Sequence, residues 1–221
     1  MVTTLTNGEK IITDIALVAV GRSVNTEGLG LQSIALHPND SGYIDVNEKM
    51  ETNVAGIFAI GDVTGKSMLA HVASHQGIVA AMNISGKEAV MHYNAIPSII
   101  FCHPEIAMVG LTEEEAIANG YTVVTGKFPF QALGKSHTIS ETEGFTFIVA
   151  DAKTRQILGA QIIGYQASIL IAEMALAIAN ELTLECISET IHAHPTLPEA
   201  TLEASLAALG TPLHLPQKKR V

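Results

Sequence analysis

The chain has 221 residues, 48% of them hydrophobic and 15% charged, which is enough apolar material for one large or two small packed domains. Twenty-two acidic residues against 12 basic ones give a formal charge of −10, the wrong sign for a nucleic-acid or anionic-membrane surface; the basic run Lys218-Lys219-Arg220 reads as a solvated tail. Apolar runs break well before the ~20 residues a bilayer span needs and no signal-peptide core follows Met1, so a cytoplasmic setting is expected.

In chain order, residues 15–20 (Ile-Ala-Leu-Val-Ala-Val) form an apolar run ending at Gly21-Arg22, which predicts a buried strand. Residues 25–31 read as loop and a short helical turn. Residues 52–62 are a turn feeding a strand that ends on Gly61-Asp62, and after a loop, residues 68–84 predict a helix lined with Ala70, Ala73, Ser74, Gly77, Ala80 and Ala81. Strand, acid, loop, helix is the order in which open α/β sheets present a ligand crevice, and Asp62 sits at that strand end. The same residue also reads as a plain acid on the approach to a helix.

From about Ile96 short strands alternate with helices. Residues 99–101, 106–109, 121–124, 145–149 and 157–163 are strand candidates, and residues 149–157 read as a hairpin turn, which makes the sheet antiparallel there. Thr112-Glu113-Glu114-Glu115 caps a helix that Gly120 stops. A second helix, 167–181, is apolar nearly all round, so either its own domain wraps it or another subunit covers it. Helices with an antiparallel sheet define an α+β module. Cys102 and Cys186 lie too far apart for a metal clip or a close redox pair; no metal is expected, and both are read as buried small hydrophobes.

The residues His192-Ala193-His194-Pro195-Thr196-Leu197-Pro198-Glu199 carry the chemistry. On a continuous helix, residues five apart point roughly 140° away from each other. Pro195 and Pro198 forbid that helix: Pro195 makes His194 extended, while Thr196 reads as the N-cap of a helix that tolerates Pro198 in its first turn. Glu199 can then reach back to His194, fixing the imidazole tautomer and leaving the other nitrogen as a base. The same string is also a capping box ahead of an apolar run, with His194 a bystander.

That string resembles the C-terminal signature of the pyridine nucleotide–disulfide oxidoreductases, and its Leu-x-Glu ending is most similar to their dihydrolipoamide dehydrogenase branch. The resemblance implies that His194 exchanges a proton with a substrate dithiol, that Glu199 orients it, and that the His194–Pro195 peptide is cis. Thr52-Asn53-Val54-x-Gly56-Ile57-Phe58-Ala59-Ile60-Gly61-Asp62 resembles the family's second flavin motif, and Met68-Leu69-Ala70-His71 its stretch along the isoalloxazine. These imply flavin contacts from Gly61, Asp62, Met68, Leu69, Ala70 and His71. Val20-Gly21-Arg22-x-x-Asn25-Thr26 resembles the end of the nicotinamide-binding domain.

The resemblance implies an α+β fold: a C-terminal dimerisation domain over residues 96–221, with remnants of α/β nucleotide-binding domains at 1–50 (NAD) and 51–95 (FAD). It implies FAD and NAD as cofactors of the full-length family, a homodimer sealed by helix 167–181, and dihydrolipoamide of a 2-oxo-acid dehydrogenase or glycine cleavage complex as substrate. The sequence lacks a Gly-x-Gly-x-x-Gly turn and a Cys-x-x-x-x-Cys pair, so it reads as a fragment that binds no cofactor and is inactive alone, with Val2-Thr3-Thr4-Leu5 an orphaned strand and residues 1–50 poorly held. A glutathione- or mercuric-reductase-like parent and a non-catalytic dimerisation module remain as alternatives.

Overall fold

The computed structural model describes residues 1–216; the 218–220 basic run lies outside the described residues. Two compact units divide the chain, Met1–Met91 and His92–Val221.

In the first unit, β1 (Val2–Thr4) pairs antiparallel with β2 (Lys10–Ile12), so the strand expected to be orphaned has a partner supplied by the next turn of chain. Residues 15–20 are not a strand. All of residues 1–23 are exposed, with Leu17 at 89% and Val20 at 94%. Periodicity identified a segment that fits a buried strand, but nothing within this unit covers it. Residues 24–64 are better held: Leu36, Ile44 and Ala59 form a small buried cluster and Met50 is fully enclosed. The expected strand before Gly61 is irregular chain with one isolated bridge, Glu51 to Phe58, followed by a 3₁₀ turn over Gly61–Thr64. Helix α1 (Ala70–Ile84) follows the prediction within two residues, with Val72, Gln76, Val79 and Ala80 on its buried side.

The second unit is a five-stranded sheet in the order β3-β4-β7-β6-β5, antiparallel throughout. Its strands are β3 (Ser98–Ile100), β4 (Glu105–Gly110), β5 (Val123–Pro129), β6 (Gly144–Asp151) and β7 (Ile157–Gly164). Between β4 and β5 lies α2 (Glu113–Ala118), begun by the predicted capping box: Thr112 Oγ1 accepts from the Glu115 N–H, and Glu115 accepts from the Thr112 N–H. Helix α3 (Gly134–Thr138) precedes β6, and α4 (Ala167–Ala179), α5 (Leu184–Ser188) and α6 (Glu199–Ala208) follow β7.

Helix α4 packs on β4 and β7, and α6 on β5 and β6. One core joins them, including Ala107, Phe128, Ile148, Ile162, Met174, Leu184 and Ala204. Because α4 is apolar all round, burying Leu170, Ile171, Met174 and Ile178 against the sheet still leaves Ile169 and Leu176 each 64% exposed on its outer face. Helix α6 approaches β5 so closely that a Cβ at Gly126 would collide with the carbonyl oxygen of Ala204. Contrary to expectation, Cys102 and Cys186 are both exposed: each sits in a connection or short helix at the surface rather than on an inward face.

Candidate active site

Helix α6 starts at Glu199 with Pro198 as its N-cap residue, not Thr196. Thr196 cannot cap because its hydroxyl turns back to donate to the Ala193 carbonyl at 2.6 Å. The other half of the expected box survives, since the Thr196 N–H donates to Glu199 Oε2 at 2.7 Å. That bond and the helix start aim the remaining carboxylate oxygen at His194, whose Nδ1 donates to Glu199 Oε1 at 2.8 Å. The His194–Pro195 peptide is cis, as is His103–Pro104.

Burial pushes the Glu199 carboxyl up, but the Thr196 N–H, the His194 ring and the nearby His214 more than offset it, holding the group below the ordinary carboxylate range. A carboxylate that stays ionised accepts Nδ1–H and leaves Nε2 with its lone pair. The His194 side chain is 75% exposed and that of Glu199 16%, so the orienting group is enclosed while the reactive ring edge is open. An imidazole held in this way can act as a general base.

Two further hydrogen-bonded histidine–carboxylate pairs occur among the described residues, neither of them marked by the local sequence. His192 Nε2 lies 2.9 Å from Glu173 Oε1 of α4, and its Nδ1 donates to the Thr190 carbonyl at 2.9 Å. His214 Nδ1 donates to Glu203 Oε1 at 2.6 Å, and the N–H groups of Leu213 and His214 reach Glu203 Oε2. Glu203 lies one helical turn beyond Glu199, a spacing the sequence shows; its partner comes from a loop return that no local pattern encodes.

In the first unit, Gly61 has φ 77°, a left-handed conformation that suits glycine, and its N–H donates to Gln76 Oε1 at 2.6 Å. Asp62 is bound by Arg22, whose Nη1 donates to Asp62 Oδ2 at 2.7 Å and approaches the Met68 carbonyl at 3.5 Å. Nothing in the sequence around Arg22 places it at this site, 40 residues away along the chain. Leu69 is the N-cap residue of α1, offers no side-chain cap, and is followed by Ala70 and His71 in the first turn. The structure therefore gathers Gly61, Asp62 and Met68 around one loop and helix start. Asp62 is an acceptor of the kind a ribityl hydroxyl needs, while the sequence holds no glycine-rich turn for a pyrophosphate. Among the described residues no group of three or more His, Cys, Asp or Glu side chains could hold a metal ion.

Residues 96–205 match the dimerisation domain of the pyridine nucleotide-disulphide oxidoreductases, and residues 1–77 match the pyridine nucleotide-disulphide oxidoreductase domain itself. With an antiparallel α+β module and a histidine–carboxylate pair at its C-terminal helix, the chain belongs to this family of oxidoreductases. Within it, its curated relatives include dihydrolipoyl dehydrogenases. That of Chlamydia pneumoniae is 56% identical over 93% of this chain and 44% of its own length, and that of Halobacterium salinarum 48% identical over 91% and 43%. The solved structure of LpdA from Mycobacterium tuberculosis superposes with a TM-score of 0.86 at 28% identity, covering 92% of this chain and 45% of that one. The HOCl-induced flavoprotein disulfide reductase RclA from Escherichia coli shares the fold, with a TM-score of 0.82 at 23% identity. The chain thus spans less than half the length of these relatives.

Proposed function

We propose that this chain supplies the acid–base pair and the dimer-forming module of an FAD-dependent disulfide oxidoreductase that oxidises dihydrolipoamide with NAD. The observation that carries the reading is the His194–Glu199 contact at 2.8 Å, with the ring's other edge open. When a dithiol approaches, His194 Nε2 takes a thiol proton and leaves a thiolate able to attack a disulfide sulfur. Glu199 stabilises the imidazolium that results, a service worth about 10²–10⁴-fold in rate. FAD, when bound, supplies the two-electron relay from the redox disulfide to NAD. Asp62, next to Gly61, would accept from its ribityl chain, and Met68, Leu69, Ala70 and His71 would hold its ring.

The domain division is 1–50, 51–95 and 96–221, as the sequence motifs suggest. The family's cofactors are FAD and NAD. The sequence holds two cysteines, Cys102 and Cys186, with no Cys-x-x-x-x-Cys pair, so the chain by itself is inactive and binds neither cofactor tightly. A second copy covers the outer face of α4, where Ile169 and Leu176 stand exposed. The setting is cytoplasmic; no helix among the described residues is long and apolar enough to cross a membrane. The substrate is the lipoyl group of a 2-oxo-acid dehydrogenase or glycine cleavage complex.

The test is assay of the purified chain for dihydrolipoamide-dependent reduction of NAD, alone and mixed with a polypeptide comprising the part of the Chlamydia pneumoniae relative that this chain does not match. Activity only in the mixture, abolished by His194→Gln, supports the proposal. A yellow, active chain by itself refutes it, as does a mixture whose rate is indifferent to His194→Gln.

A further inference from the structure

His192 has no part in the chemistry proposed above, yet its side chain is 5% exposed and both ring nitrogens are engaged. Nδ1 faces the carbonyl oxygen of Thr190 and Nε2 faces a carboxylate oxygen of Glu173, each at 2.9 Å. A carbonyl oxygen only accepts, and so does an ionised carboxylate, so each contact closes when the ring nitrogen carries a hydrogen. A neutral imidazole has one N–H, whereas two acceptors require two. The remaining way to close the contacts places the proton on Glu173, whose side chain is 31% exposed. A carboxylic acid is a stronger acid than an imidazolium, so a proton shared between the two rests on the ring.

We infer that His192 is an imidazolium whose ion pair with Glu173 is the upstream peg that positions His194. Glu173 projects from α4, a 13-residue helix fixed in the core through Leu170, Ile171, Met174 and Ala177. The peg therefore ties the segment entering His194 to a helix anchored in the core of the unit. On the downstream side the Thr196 hydroxyl holds the Ala193 carbonyl and the Thr196 N–H holds Glu199. His194 stands between two anchors, and without the first its ring is tethered from one side alone. His192 and Glu173 are positioning residues for the acid–base site, a role that rests on the reading of His194 as the base. Their charge state does not.

The experiment is nitrogen-15 NMR of the whole chain with ring-labelled histidine, at neutral pH. In the unaltered chain His192 is expected to show two ring N–H signals, and His194 a single fixed tautomer with the hydrogen on Nδ1. Glu173→Gln keeps the contact but not the charge, and should cost His192 one of its two N–H signals while His194 keeps its tautomer. Glu173→Ala removes the peg, and His194 should become a tautomer average. A role confined to stability would lower the melting temperature of the folded Ala variant and leave the His194 tautomer untouched, which overturns the positioning role. A single ring N–H on His192 in the unaltered chain overturns the imidazolium. If Glu173→Ala fails to fold, His192→Asn, whose amide reaches only one of the two acceptors, carries the same comparison. These signals are read without turnover, so their outcome is separable from whether any dithiol is oxidised.

Discussion

Replacing Glu199 by Gln should invert the chemistry of His194 while barely changing its shape. The carboxylate accepts from two donors, the Thr196 N–H at 2.7 Å and His194 Nδ1 at 2.8 Å. An amide has one acceptor oxygen. If that oxygen keeps Thr196, the amide N–H₂ points at Nδ1, which can satisfy it only by giving up its hydrogen. The proton then moves to Nε2, and the open edge of the ring becomes a donor instead of a base, forfeiting about 10²–10⁴-fold in any reaction that depends on it. Replacing two charge-assisted bonds by weaker neutral ones costs about 1–3 kcal/mol in stability. For a domain of this size each kcal/mol lowers the unfolding midpoint by roughly 3–5 °C. The cost also has a pH signature. The folded Glu199 carboxyl lies below its ordinary value, so its contribution is fully present above the ordinary carboxylate range and disappears as pH falls through the folded value. Thermal unfolding of both proteins across the acid range should therefore show a gap that is constant near neutrality and closes below about pH 4. A gap that persists into strong acid, or a His194 that keeps its hydrogen on Nδ1 in the variant, refutes the reasoning.

Glu203→Gln should free the segment at His214, because three donors converge on a side chain only 3% exposed, and it should cost about 1–3 kcal/mol by chemical denaturation. Met174→Ala, at a fully buried position, should cost about 2–5 kcal/mol, with an unfolding slope unlike the wild type's counting against two-state reasoning. Ile169→Glu with Leu176→Glu should shift sedimentation from dimer to monomer without lowering helical content; an unchanged dimer would place the interface elsewhere. Both exposed cysteines should react with a thiol reagent in the native chain, and protection of either until denaturant is added would contradict its surface position.

The second unit was largely legible in the sequence because its signals are local. Apolar strand-forming runs with a turn between them marked the β6 and β7 pair, and Thr112-x-x-Glu115 marked the start of α2. The His194–Glu199 contact was legible for a similar reason, since two prolines leave few ways to arrange five residues. What escaped depends on chain remote in sequence. Nothing near His214 announces Glu203, and nothing near Glu173 announces His192, because the first pair forms only where the chain folds back after α6 and the second only where the segment before His194 meets α4. The misreading of residues 15–20 has the opposite cause: the pattern is real, but pattern reports suitability for burial, not the presence of a covering surface. Thr196 misled because its hydroxyl turns to donate to the Ala193 carbonyl instead of accepting from the N–H groups at the helix start.

The bare hydrogen at Gly126 has a reach beyond its own strand. Since α6 rests there against backbone and the Cβ of Ala208, with no flexible side chain to yield, its approach to the sheet at this point is set by rigid atoms. Glu199 and Glu203 ride on that helix, so any residue larger than glycine at this spot would lift both carboxylates together and detune two imidazoles at once, from a location that touches neither.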